Sequence, residues 1–167
     1  TTATGGMTSV DYDCLSSSDC LTCHNSAAGF ALGAKTRQLN RDFVYPTLTD
    51  NQLRTYSHID LFSASIKQAV EYEAFNSTPN AREYLDTNCS SCHRPGTNTG
   101  LALDFRVDTD EVDMGVVDVA PIKGDLGIVS PRLVDPGSKE TSIVWERMQT
   151  LGTNAMPPIA KHRVDEV

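Results

Sequence analysis

The chain has 167 residues, of which 39% are apolar and 7% aromatic, and carries a net charge of −8 with a pI near 4.8. That length holds one domain or two very small ones, and so small an apolar share suits a core completed by a large apolar ligand. The acidic balance argues against a nucleic-acid partner, whose affinity comes mostly from Lys and Arg on phosphate, and suits a basic protein surface or plain solubility.

Residues 1–13 read as a flexible N-terminal segment, and the opening TTATGG as a processed N-terminus or the end of a linker. No apolar run approaches the length of a membrane span, and no charged stretch with an apolar follower opens the chain. Asp19 is expected to cap a short helix carrying Cys20, Cys23 and His24. AAGFALGAK follows, broken by Gly29 and Gly33, and Pro46 punctuates the chain before TDNQLRTYSHIDLF. There Thr49 or Asp50 is the expected N-cap, with Leu53, Tyr56 and Ile59 on one face. ASIKQAVEYEAF (64–75) reads as another helix, ended by STPN. NAREYLDTNCSSCH predicts a helix from about 80 to 92, stopped by RPGTNTG. Residues 101–136 hold short apolar runs between Gly and Pro and read as extended segments and loops. A last helix is expected over about 139–151, with Val144, Met148 and Leu151 on one face and Gly152 at its stop. A loop with two prolines follows it.

Four of the five cysteines fall into two copies of one pattern, CLTCH at 20–24 and CSSCH at 89–93. C-x-x-C-H is the attachment sequence of c-type haem. On a helical turn, Cys at i and i+3 and His at i+4 lie on one face. Two thioether bonds to the porphyrin vinyl groups then leave the imidazole over the iron. The sequence therefore predicts two covalent haem c groups, bound by Cys20, Cys23 and His24 and by Cys89, Cys92 and His93. A zinc ribbon also pairs CxxC motifs, but at a separation of roughly 15–20 residues. A redox CxxC would need a βαβ context, which is not legible here.

The remaining histidines and methionines supply the second axial ligands. Met156, in a loop restricted by Pro157 and Pro158, is the expected ligand of the second iron. Met148 reads as pocket packing. His58 is the expected second ligand of the first iron, with His162 the runner-up, and Met7 and Met114 are remote candidates. Bis-His ligation at the first haem and His/Met at the second would place the first at lower potential. Arg37, Arg41, Arg132, Arg147 and Trp145 are candidates to contact the propionates. Asn76-Ser77-Thr78 matches a glycosylation triplet. Cys14 stands outside both motifs, either as a buried free thiol or as a cysteine disulfide-bonded to another chain.

CLTCHNSAAGFALGAKTRQLNRD, NQLRTYSHIDLF, YLDTNCSSCHRPG, LALDFR, PRLVDPGSKETSIVWERM and AMPPIA together resemble a family of secreted bacterial dihaem c-type cytochrome domains. The resemblance runs from about residue 14 onward. It implies two covalent haems, electron transfer outside the cytoplasm, and an axial methionine at Met156. Family members usually continue with a further helix beyond the point corresponding to VDEV, and they need no cysteine at position 14.

The expected fold is mainly α: a cytochrome c-like dihaem unit with short helices, long loops and little β structure. Its first haem half is 14–78 and its second 79–167. The expected function is single-electron transfer in the periplasm or at the bacterial cell surface, without enzymatic chemistry. Its partners would be a redox donor and an acceptor with basic surfaces. Two other readings are a subunit of an extracellular cytochrome assembly or homo-oligomeric filament, and a dihaem peroxidase.

Overall fold

A computed structural model describes residues 9, 12–64, 66, 71–75 and 80–164. Met7, the Asn76-Ser77-Thr78 triplet and residues 65 and 67–70 of the helix expected over 64–75 lie outside the described residues.

The first half begins with helix α1, Ser17–Cys23. Its cap is Ser16, not Asp19: the Ser16 hydroxyl accepts from the Asp19 N–H while the Asp19 carboxylate accepts from the Ser16 N–H. This reciprocal pairing satisfies two N–H groups that the helix leaves open. After a short turn come α2, Thr36–Leu39, and an antiparallel pair, β1 at Asp42–Val44 and β2 at Thr49–Asn51. Helix α3, Gln52–His58, follows directly, capped by the Asn51 side chain, which accepts from the Leu53 and Arg54 N–H groups. Leu53 is buried, Tyr56 half-buried, and Ile59 lies exposed beyond the helix end.

Helix α4, Ala81–Asn88, starts in a capping box between Asn80 and Glu83 and gives way at Cys89 to a turn that carries the second motif. Residues 101–136 contain isolated bridges and no named strand. They nonetheless build the core. The Phe105 N–H donates to the His93 carbonyl, Asp104 to Met114, and Val134 to Val116. Leu103, Phe105, Met114 and Val116 form the buried cluster, with Leu85, Leu133 and Val144 packed on it. Met114 is therefore a core side chain, and its sulfur is contacted by the Arg82 guanidinium. Helix α5, Ile143–Gln149, closes this side.

The expectation of a mainly α, cytochrome c-like fold is corrected by this architecture. Helix accounts for 28% and strand for 8%, giving a small mixed α/β fold with a two-stranded sheet. The reason is local. The expected helices end early, and from residue 115 to 136 Gly and Pro interrupt the apolar runs before a helical turn can propagate. That segment packs through backbone bonds between loops instead.

The two halves are joined by a buried polar cluster. The Lys35 ammonium donates to the Asp86 carboxylate at 2.7 Å, to the Asp86 carbonyl and to the Ser90 hydroxyl. Asp86 and Ser90 are 4% and 0% exposed, so these partners offset a large desolvation cost. Arg94 extends the cluster by donating to the Ala27 and Ser90 carbonyls.

Candidate cofactor site

Both CxxCH motifs adopt the turn that their spacing predicts. The His24 N–H donates to the Cys20 carbonyl at 2.9 Å, and the His93 N–H to the Cys89 carbonyl at 2.9 Å. Each histidine is thereby fixed one turn beyond the first cysteine of its motif.

The second motif opens into a cavity of about 510 Å³, within the ~300–1,000 Å³ range of small-molecule and cofactor sites. Cys89, Cys92 and His93 line it together with Met156. Its walls are otherwise largely apolar: Leu101, Leu103 and Phe105 from the core segment, and Ile143, Val144 and Met148 from α5. Met156 reaches the cavity because its loop folds back onto α5. The Met156 N–H donates to the Arg147 carbonyl, and Lys161 donates to the Arg147 and Met148 carbonyls at the helix end.

His93 packs edge-on to Phe105, with ring centroids 5.4 Å apart, and burial lowers its pKa. Its Nδ1 is buried without a hydrogen-bond partner. Burial, with a further push from Cys92, raises the Cys89 thiol to about 11. It stays protonated at neutral pH, the form whose S–H adds across a vinyl double bond. Two thiols, an imidazole and a thioether around one apolar cavity therefore fit a covalently held haem.

The first motif borders a larger cavity, about 780 Å³, lined by Cys20, Cys23 and His24. Asp19, Lys35, Asn88 and Arg94 make its walls more polar. His24 lies at the surface, and its Nδ1 is 2.6 Å from the Phe30 carbonyl. That carbonyl is brought round by a turn with Gly29 and Phe30 at positive φ. Nδ1 then carries the proton and Nε2 is left free as a ligand atom.

The other expected residues divide. His58 ends α3, is exposed, and lines neither motif's cavity. His162 is half-buried near the Tyr12 ring, with Nε2 buried and unpaired. Pro157, Ile159 and Ala160, just upstream of it, form part of the first cavity's wall. Of the basic candidates, Arg147 lines the second cavity and donates to the Lys123 and Asn154 carbonyls. Arg37, Arg41, Arg132 and Trp145 line neither motif's cavity. Lys123 at the second cavity and Lys35 and Arg94 at the first were not legible as site residues, because no motif marks them. Cys14 is exposed and lines a neighbouring pocket that shares Leu15, Asp19 and Pro157 with the first motif's cavity.

Among the described residues no group of three or more His, Cys, Asp or Glu side chains is arranged to hold a metal ion, and no helix is long and apolar enough to cross a membrane. Compared with family models, curated proteins and solved structures, the chain matches none.

Proposed function

We propose that this chain is a dihaem c-type cytochrome that passes single electrons between redox partners outside the cytoplasm. The observation that carries the reading is the convergence of Cys89, Cys92, His93 and Met156 on one apolar cavity, although Met156 lies far from the motif in sequence. When bound, each haem supplies a one-electron iron couple. Cys20 and Cys23 would hold one group and Cys89 and Cys92 the other, with His24 and His93 offering the imidazole ligands. Met156 offers the second haem a thioether ligand, which favours the reduced iron and raises the potential. Leu101, Leu103, Phe105 and Val144 exclude water from that site, and low polarity around an iron also disfavours its more charged, oxidised form. Arg147 and Lys123 place positive charge at the same cavity, suited to propionate carboxylates.

Covalent attachment of this kind is completed outside the bacterial cytoplasm, so the proposed location is the periplasm or the cell surface. The acidic chain suits donors and acceptors with basic surfaces. Intact mass with oxidised and reduced absorbance spectra tests the proposal. The expected result is a mass increased by two haems, with c-type bands that respond to reductant. A protein matured in a host competent for haem attachment that carries none would overturn it.

The enzyme alternative, a dihaem peroxidase, is favoured by one observation. His24 is the only His or Met among the described residues lining the first cavity. An iron held there with an open position would bind cyanide with a spectral change at one haem alone. Spectra unmoved by cyanide would remove that reading and leave the electron carrier.

A further inference from the structure

The two attachment motifs lie against each other. The Asn25 amide, directly after CLTCH, donates to the Ser91 carbonyl inside CSSCH at 3.1 Å. The same amide reaches the Cys23 carbonyl at 3.2 Å, while its Oδ1 accepts from the Ala28 N–H at 2.9 Å. One side chain therefore ties the end of the first motif, the turn after it and the middle of the second. Beside this clasp the Cys92 thiol donates at 3.5 Å to the carbonyl of Thr22, the residue just before Cys23. Thr22 lines the second motif's cavity, and Ser91 lines the first motif's. Each cavity thus borrows a wall residue from the other motif.

We infer that Asn25 is a positioning residue that clasps the two motifs so that the groups they would bind are held next to each other as one electronically coupled pair. The inference rests on the proposed function, since it needs both groups in place. It deepens that function: with their attachment motifs held together, the two groups would be close enough to exchange an electron directly. Two chromophores fixed at neighbouring sulfurs couple their strongest transitions, and the coupling depends steeply on their separation and mutual orientation. The Asn25 clasp sets both. An Ala at this position removes four hydrogen bonds, to the Thr22, Cys23 and Ser91 carbonyls and from the Ala28 N–H, and leaves the haem ligands untouched.

Circular dichroism across the main haem absorption band, on protein whose intact mass shows two haems, tests this. The wild type is expected to give a paired positive and negative signal. In Asn25→Ala, with both haems still present by mass, the paired signal should fall by at least half while the absorbance spectrum keeps its ligand-sensitive features. Asn25→Asp keeps the acceptor and loses the donor to Ser91, and should fall in the same direction. A band of single sign from wild-type protein carrying two haems would overturn the inference and leave the proposed function standing. A paired signal unchanged in both variants would overturn the role of Asn25. Protein lacking a second haem by mass would overturn the proposed function and the inference with it.

Discussion

The Lys35 ammonium lies 2.7 Å from the Asp86 carboxylate, joining the segment after the first motif to the helix that leads into the second. Asp86 also accepts from the Val107 N–H, so one carboxylate gathers three stretches of chain. Its side chain is 6% exposed and that of Lys35 is 34% exposed. Removing the cation leaves a buried charge unpaired. Lys35→Met is therefore expected to destabilise the protein by about 2–3 kcal/mol, below the full cost of breaking a buried pair because Lys35 is partly hydrated. Urea unfolding reads this as a lowered midpoint at unchanged slope. A midpoint equal to that of the wild type would show that the pair contributes nothing.

Gly115 sits between the buried residues Met114 and Val116 with φ +68°, and a Cβ there would meet the Ala102 carbonyl oxygen at 2.3 Å. That oxygen is a backbone atom, so it cannot turn aside. Gly115→Ala should cost at least ~1–3 kcal/mol from the left-handed backbone alone, with the clash added. The same strand of loop supports Leu103 and Phe105 on the cavity wall, so haem content after maturation should also fall. Thermal unfolding and the ratio of haem to protein absorbance check the two effects separately, and a variant with wild-type melting would contradict the assigned backbone strain.

Asp104 is buried at 6% exposure and receives the Arg106 guanidinium on both carboxylate oxygens. Arg106 holds the Asp104 pKa down from 3.8 to about 2. A depressed carboxylate contributes its stabilisation fully above its unfolded pKa, and loses it as pH falls through the folded value. Stability should thus decline between about pH 4 and pH 2. In Asp104→Asn that component of the decline should be absent. Because Arg106 is partly exposed, the component is about 1 kcal/mol after allowing for screening. Unfolding midpoints measured along a pH series compare the two proteins, and identical slopes would show that this pair does not set the acid limit.

Met156 is the one methionine lining the second cavity from the loop pinned to α5; Met148, the other methionine there, comes from the helix itself. Met156→Ala should abolish the thioether-to-iron band at the red end of the oxidised spectrum. The reduction potential of one haem should drop, while the mass still shows two haems. Met148→Leu conserves apolar volume and should leave that band in place. A band lost in Met148→Leu and retained in Met156→Ala would reverse the assignment.

Much of the candidate site's local geometry was legible in the sequence because it depends on short-range spacing. Cys at i and i+3 with His at i+4 places three side chains together on any helical turn. The CxxCH motifs therefore needed no tertiary context, and the observed turns at His24 and His93 agree with that spacing. Helix starts were legible to within a few residues for the same reason: Asn51 and Asn80 cap what their side chains reach. Helix lengths were overestimated, since the apolar face of 139–151 continues past the point where the chain turns back to bring Met156 to the cavity.

Tertiary structure alone decided the rest. It put Met156 with His93, left His58 at the surface, brought Lys123 to a cavity no motif assigns it to, and set Cys23 beside Cys92. Each of these depends on contacts between residues tens of positions apart. Such contacts are fixed by how loops without regular structure pack around Phe105 and Val116, and a periodic pattern carries no record of that packing. The composition pointed the same way at the outset: a chain this short of apolar bulk carries its CxxCH motifs locally, and relies on long-range packing to shape the cavities beside them.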